Sequence, residues 1–457
     1  MLPSCTRCSL PATIRTVLKS ASGLTASDPA SDPASMSTLK GWIKSIRGHK
    51  NVSFISISDG STYEPLQAVY RGVLGPEYSI GASVQLTGKL QPSRGRQEVE
   101  FLISKSSVLG PCDTMEYPIQ KKNLPTKVLR DHAHLRFRTT QTTALMHLRD
   151  GILRDWHDWF ESNAFTYIHT PVLTSSDCEG AGETFSLSSN VFPDRVNLTV
   201  SSQLHLEAPT HAVSRTYTLS PCFRAEPSAT PRHLAEFYML EGEVVVDTLD
   251  GLMDVVEDGI KSTLKSMLRG TTDRSERLRD ALLAIRSSDV VRDTMADLNT
   301  TMYEPFARMT YAKAIKILTK HHAVTPFNHP PIPGHGLSLE HEKHLAADRP
   351  IFITHYPAAI KPFYMLPADN DTVACFDLLL PSLGEIAGGS LREHRLSHLE
   401  ASLPSEEYAW YADLRRYGSI PHGGWGMGWD RWISWITGVD NVKDVVAFPR
   451  WVGHCKY

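Results

Sequence analysis

Between Leu39 and Leu109 the chain turns back on itself every few residues. The runs "LKGWIKSIR", "VSFISISDG", "PLQAVY", "SVQLTGKL" and "VEFLISKSSVL" alternate apolar and polar side chains, separated by Gly, Pro or Asp-Gly turns. A period of two means strands with one buried face, because successive side chains point to opposite sides. Five short strands in about 70 residues suit a small closed barrel of the OB type. Lys40, Lys44 and Arg47 on the first run, with Lys50 in the turn after it, form either a phosphate-facing patch or a solvated face.

Composition sets the outer bounds. With 457 residues the chain is long enough for two to four domains. Its 47 Lys and Arg against 50 Asp and Glu leave a formal charge of −3, which excludes a polycationic mode of nucleic-acid binding but not local basic patches. No apolar run approaches the ~18 residues of a membrane span. Seven scattered Cys make no disulfide framework and point to a reduced compartment. Residues 1–36 are rich in Ser, Thr, Ala and Pro, and Arg7, Arg15 and Lys19 precede the first acid, Asp28. That is either an organellar transit peptide, with Ile14, Val17, Leu18 and Leu24 as a weak apolar face, or a disordered tail. Cys5 and Cys8 have no second pair at metal-ligand spacing.

Domain boundaries follow from these textures: a tail at 1–36, the barrel at 37–110, a linker at 111–127 and a larger domain at 128–457. In the last, Leu145, Leu148, Ile152, Trp156 and Trp159 recur every three or four residues and predict an amphipathic helix. A β-like "FTYIHTPVLT" follows, and residues 250–325 read mostly helical. The strand-like runs "RTYTLSPCFRAE", "EFYMLEGEVVV", "PIFITHYP" and "ACFDLLLP" lack βαβ spacing. The expected class is therefore α+β, an antiparallel sheet flanked by helices. A GxxxxGK[ST] phosphate loop is absent.

Three clusters carry chemistry. In "FRAEPSATPRHLAEF" (223–237), pairing of the two arms as a hairpin brings together Arg224, Glu226, Arg232, His233 and Phe237. Arg224 can hold a phosphate with two parallel hydrogen bonds, Phe237 can take a purine on its face, and Glu226 can accept from an amino group. In "GGWGMGWDRWISWITG" (423–438), four glycines in six positions admit a close ligand or strand. Arg431, at the junction with the following helix, can stack on a base. In "DLLLPSLGEIAGGSLREHR", Asp377 and Glu385 can share Mg²⁺, or be unrelated surface acids, and Arg392 offers a fixed cation. His132, His134, His321 and His322 have no Cys or carboxylate pattern to complete a metal site.

From about residue 39 to its C-terminus the chain resembles the class II aminoacyl-tRNA synthetases. "FTYIHTPVLT" looks like motif 1, "FRAEPSATPRHLAEF" like motif 2 and "GMGWDRWISWITG" like motif 3, and the barrel marks the aspartyl/asparaginyl/lysyl subgroup. "CEGAGETF" (178–185), "SSQLHLEA" (201–208), "DLLLPSLGEIAGGSLRE" and "GVDNVKDVVAFPR" read most like the asparaginyl members. Departures are Pro227 and Pro231 beside the motif 2 loop, Asp430 where Glu is usual, and the C-terminal "RWVGHCKY".

The resemblance implies ligation of L-asparagine to tRNA(Asn) through an adenylate made from ATP. Arg224 would hold the α-phosphate and the reacting carboxylate, and Glu226 would read the adenine or the tRNA end. Phe237 and Arg431 would sandwich the adenine, Arg232 and His233 would lie near the β- and γ-phosphates, and Asp377 and Glu385 would carry Mg²⁺. Arg392 would bind the side-chain carbonyl, Gln203 and Glu179 the α-amino end, and Glu183 the amide NH₂. The barrel would read the anticodon with Phe54, Gln67 and Glu100, although alternation alone leaves barrel core open for Phe54. Motif 1 implies a homodimer, and the N-terminal segment a mitochondrial matrix location, or a cytosolic one if translation starts at Met36. The rival readings are an aspartyl enzyme, including a non-discriminating one, and an inactive RNA-binding paralogue.

Overall fold

The alternating runs form the expected strands. The computed structural model describes residues 10–22 and 36–457, apart from 94, 96, 121–123, 177–183, 189, 193–194, 229 and 286–287. It divides into two units, residues 1–145 and 146–457. In the first, β1 (Ser37–His49), β2 (Val52–Ser58), β3 (Leu66–Tyr70), β4 (Ser83–Pro92) and β5 (Val99–Gly110) close in the order β1-β2-β3-β5-β4. Leu39, Ile43, Ile55, Ile57, Leu66, Val84, Leu86 and Phe101 fill the interior. Along β2, Ser53, Ile55 and Ile57 turn inward, so Phe54 lies on the outer face and is not barrel core. Lys44 is no phosphate-facing group: its ammonium donates to the carbonyl of Arg138, and burial lowers its pKa.

The N-terminal segment needs a correction. Helix α1 (Ile14–Ser22) packs on the barrel, with Ile14 fully buried and Val17 nearly so. Its first backbone donors are satisfied by the turn after β2: Ile14 N donates to Asp59 Oδ2 at 2.7 Å and Arg15 N to Ser61 Oγ at 3.0 Å. The apolar face foreseen at Ile14, Val17 and Leu18 is thus spent on the barrel core. A disordered tail does not describe residues 14–22, and Cys5 and Cys8 lie outside the described residues.

The second unit is built on an eight-stranded sheet. Its strands are β6 (Thr166–Tyr167), β7 (Arg215–Phe223), β8 (Glu236–Val245), β9 (Ala307–Thr310), β10 (Ile351–Thr354), β11 (Cys375–Leu380), β12 (Gly384–Leu391) and β13 (His422–Gly428). The order is β9-β10-β11-β12-β13-β8-β7-β6. The six central strands run antiparallel, as expected, but each edge pair, β9 with β10 and β6 with β7, is parallel. Parallel neighbours need a crossover to return the chain to the same end of the sheet. Helices α3 (Gln203–Val213) and α7 (Tyr311–His322) lie within those crossovers.

The predicted amphipathic helix is α2 (Thr140–Ser162), and Leu148, Ile152, Trp156 and Trp159 are buried. Trp156 meets Trp425 of β13 and Trp432 at centroid distances of 6.0 and 6.4 Å. Helices α4 (Leu249–Arg269), α5 (Asp273–Ile285) and α6 (Ser288–Tyr303) make up the helical stretch before β9. Period two along β8 gives Leu240 and Val244 to one face, and Phe237, Met239, Glu241 and Glu243 to the other. The second face carries the cavity described below. Replacing Ile14 by Ala is expected to destabilise the barrel by about 2–5 kcal/mol. Hydrogen exchange should show lost protection confined to β1–β5; unchanged protection would mean that α1 rests on the barrel without supporting it.

Candidate active site

A cavity of 420 Å³ opens over the sheet and is lined by residues from β8, β11, β12 and β13 and from the β7–β8 connection. The two arms of that connection pair as the sequence required: Phe223 faces Glu236, and Arg224 N donates to Ala235 O at 3.1 Å. Arg224, Glu226, Arg232, His233 and Phe237 therefore all line one cavity. The Arg224 guanidinium stands 5.5 Å from the Phe237 ring centroid and 3.8 Å from Glu226. His233 Nε2 lies 3.6 Å from Glu226, and burial lowers the histidine's pKa. The loop between the arms is tied down at Pro231, whose carbonyl accepts from Val442 N at 3.0 Å.

Helix α10 (Trp429–Thr437) begins where β13 ends, which puts Arg431 at the cavity wall opposite the hairpin. Its guanidinium is 3.7 Å from the Glu385 carboxylate. Asp430, which also lines the cavity, accepts from Arg149 at 2.8 Å and from Tyr238 N at 3.0 Å. The shorter acid at this position thus locks α10 to α2 and β8.

Asp377 and Glu385 both lie beside Gly388, their nearest oxygens 3.4 and 3.9 Å from where a Cβ on that glycine would stand. Two carboxylates are the hard-oxygen donors that Mg²⁺ takes. They are not equivalent, however. Lys361 Nζ is 2.9 Å from both oxygens of Asp377 and 4.1 Å from the Tyr356 ring centroid. Burial raises the Asp377 pKa against the pull of Lys361. Burial also works to raise Glu385, but Arg431, Lys361, Arg232 and Arg224 outweigh it and hold the carboxylate below its usual range. The donor set fits a divalent cation at Glu385, with Asp377 already occupied by an ammonium.

At the other end of the cavity lies Arg392, 1% exposed. Its Nε and Nη2 donate to the two oxygens of Glu243 at 3.0 and 2.9 Å, and Nη1 donates to Ser390 at 2.8 Å. Behind it Glu207 accepts from Tyr411 at 2.6 Å and lies 2.7 Å from Arg415 and 2.9 Å from His422 Nε2. Burial opposes charge on Arg392, yet Glu243 and Glu207 raise its pKa. Gly424 is required beside this pair, since a Cβ there would stand within bonding distance of Glu243 Oε2. Glu241, also buried, accepts from Ser202 N at 3.0 Å. Gln203, the first residue of α3, lines the same end, and its Nε2 is buried with no hydrogen-bond partner among the described residues.

Glu179 and Glu183 lie outside the described residues. Glu241, Glu243 and Lys361 were missed by sequence reasoning. The first two left a signal in "MLEGEVVV", where acids two apart interrupt an otherwise apolar strand and must share a face. On the barrel, Gln67 Nε2 donates to Glu100 at 3.2 Å, and Gln91 donates to the same carboxylate at 2.8 Å. Phe54 is two residues from Ser56, the partner of Gln67 across β2 and β3, and shares that outer face.

Known proteins match both units. The model for tRNA synthetases class II (D, K and N) matches residues 126–452, and that for an OB-fold nucleic acid binding domain matches residues 37–109. The chain is 40% identical over 441 residues to "Asparaginyl-tRNA synthetase" of Mus musculus, covering 92% of this chain and 90% of that one. It is 41% identical over 440 residues to "Asparagine--tRNA ligase, mitochondrial" of Schizosaccharomyces pombe, covering 91% and 94%. Among solved structures, asparaginyl-tRNA synthetase from Pyrococcus horikoshii complexed with asparaginyl-adenylate superposes with a TM-score of 0.83 at 28% identity, covering 98% and 99%. With its barrel, its hairpin arginines and its closed Arg392 pocket, the chain belongs to the class II tRNA synthetases of the D, K and N family, in the asparaginyl branch.

Proposed function

We propose that this chain joins L-asparagine to tRNA(Asn) in two steps through an asparaginyl-adenylate. In the first, an oxygen of the asparagine carboxylate attacks the α-phosphorus of ATP and diphosphate leaves. In the second, a ribose hydroxyl at the tRNA 3′ end attacks the activated carbonyl and AMP leaves. Such transfers depend on positioning and charge neutralisation rather than on a protein nucleophile. Arg224 takes the charge shared by the α-phosphate and the attacking carboxylate. Phe237 and Arg431 hold the adenine between ring and guanidinium, Glu226 accepts from its amino group or meets the tRNA end, and Arg232 and His233 lie toward the leaving phosphates. Mg²⁺ bound at Glu385 would supply further neutralisation of those phosphates, with Asp377 acting through Lys361 or in exchange for it.

The observation that carries the choice of amino acid is the Glu243–Arg392 pair. An arginine alone would favour aspartate, which brings a full negative charge. Here Glu243 already neutralises Arg392 with two hydrogen bonds, so a second anion meets two buried carboxylates, Glu241 and Glu243, beside an arginine whose charge is already balanced. A neutral amide avoids that repulsion. Gln203 serves the α-amino end through its amide, joined by Glu179, and Glu183 is a further acceptor for the side-chain NH₂.

The barrel reads the anticodon as single-stranded RNA, Phe54 stacking a base while Gln67 and Glu100 meet base edges. We infer a homodimer through the motif 1 region, which leaves Tyr167, Leu173, Phe185 and Leu187 about two-fifths exposed in one chain. A mitochondrial matrix location is supported by the basic residues of the N-terminal segment and by the mitochondrial relative. In ATP–diphosphate exchange, full-length protein should respond to asparagine and not to aspartate. Response to aspartate alone would make it an aspartyl enzyme, and silence with both would leave an RNA-binding paralogue. Glu243→Gln, if its melting temperature shows a folded chain, should lower the asparagine-to-aspartate ratio of exchange by roughly tenfold or more, the scale of one buried charge interaction.

A further inference from the structure

Each arginine of the nucleotide end has an acid beside it. Arg224 has Glu226 at 3.8 Å, Arg431 has Glu385 at 3.7 Å, and Arg232 has Glu342 at 3.5 Å. Glu342 comes from the short helix α8 (Leu339–Leu345) and has only 13% of its side chain exposed. Its Oε2 also accepts from the backbone N of Glu385 at 3.0 Å. Arg232 closes the ring, donating from Nη2 to the backbone O of Glu385 at 3.2 Å. The ladder between β11 and β12 slips at Leu378/Leu379, opposite this point, as a β-bulge does.

The backbone is shaped for this contact. Gly384 has φ +87°, and a Cβ there would stand 2.4 Å from Glu342 Oε2. Burial and the nearby Glu385 raise the pKa of Glu342, while Glu385 N and Arg232 oppose them. A carboxylate placed at this cost of desolvation is held by two donors that both belong to the nucleotide site.

We infer that Glu342 is a positioning residue for adenylate formation: it fixes the Arg232 guanidinium and the backbone of Glu385 in one frame, so that the two groups facing the leaving phosphates keep their mutual distance. This rests on the role given to Arg232 and Glu385 above. The two donors to Glu342, Arg232 and the backbone N of Glu385, both lie at the far end of β12 from Ser390 and Arg392.

The test is ATP–diphosphate exchange with Glu342→Ala, Glu342→Gln, Arg232→Ala and the Glu342→Ala/Arg232→Ala double variant. Glu342→Ala should raise KM for ATP roughly tenfold or more, the effect of losing a charged hydrogen bond, and leave KM for asparagine within about twofold. Glu342→Gln keeps an oxygen for Glu385 N and should recover part of the loss. In the Arg232→Ala background, Glu342→Ala should do less than in the parent. An unmoved KM for ATP in folded Glu342→Ala, equal changes in both KM values, or additive effects with Arg232→Ala would overturn the inference. If Glu342→Ala does not fold, a folded Glu342→Gln with parental KM for ATP and no coupling to Arg232 does the same. A parent chain silent with asparagine would instead overturn the functional reading.

Discussion

The buried ion pair between Arg392 and Glu243 dictates much of what surrounds it. Removing a guanidinium and a carboxylate from water is costly, and their attraction offsets the cost only when geometry is good and every remaining donor and acceptor is used. That requirement recruits Ser390, Glu207, Tyr411, Arg415 and His422 in turn. The network joins α3, β8, β12, β13 and the helix Ala409–Arg416 (α9) at one point. Two arginines face two glutamates, so the cluster is near balance without a ligand. It also sets the backbone, because a Cβ at Gly424 would collide with the Glu243 carboxylate against β13.

The end of the cavity around Arg224, Arg232 and Arg431 follows a different rule. Its arginine–carboxylate distances of 3.5 to 3.8 Å are longer than the 2.9 and 3.0 Å contacts between Arg392 and Glu243. Loosely held cations can exchange a protein carboxylate for a phosphate without breaking a tight pair. The end proposed to take the amino acid is thus charge-balanced, suited to refusing an extra charge. The end proposed to take the nucleotide has looser pairs, suited to accepting one.

How much of this was legible in the sequence depends on the distance over which the signal acts. Alternation in 39–109 and the three-to-four spacing up to Trp159 report local periodicity, and both became the expected elements. The hairpin residues from Arg224 to Phe237 were legible as a group because one turn brings them together. Glu342 and Arg232 are 110 positions apart, and Arg392 and Glu243 are 149 apart; no window on the sequence contains both partners. Lys361 and Asp377 are 16 apart but join a loop to a strand interior, so the pairing depends on the sheet. The parallel edges of the sheet were hidden because two- and four-residue strands carry too few positions to show a pattern. In α1 composition misled: Ser, Thr and Ala around Ile14 read as tail, although two buried residues suffice to dock a nine-residue helix.

The docking of α1 also bears on how one gene could serve two compartments. An address label is ordinarily discarded on arrival, and its residues are free of duties in the finished protein. On the mitochondrial reading proposed above, the same nine residues would be both label and wall. A protease that trimmed the chain beyond Ser22, or a ribosome that began at Met36, would release a barrel with its core open where Ile14 and Val17 had been. Dual delivery by a shortened product would therefore require the short form to tolerate that opening or to borrow a cover from elsewhere.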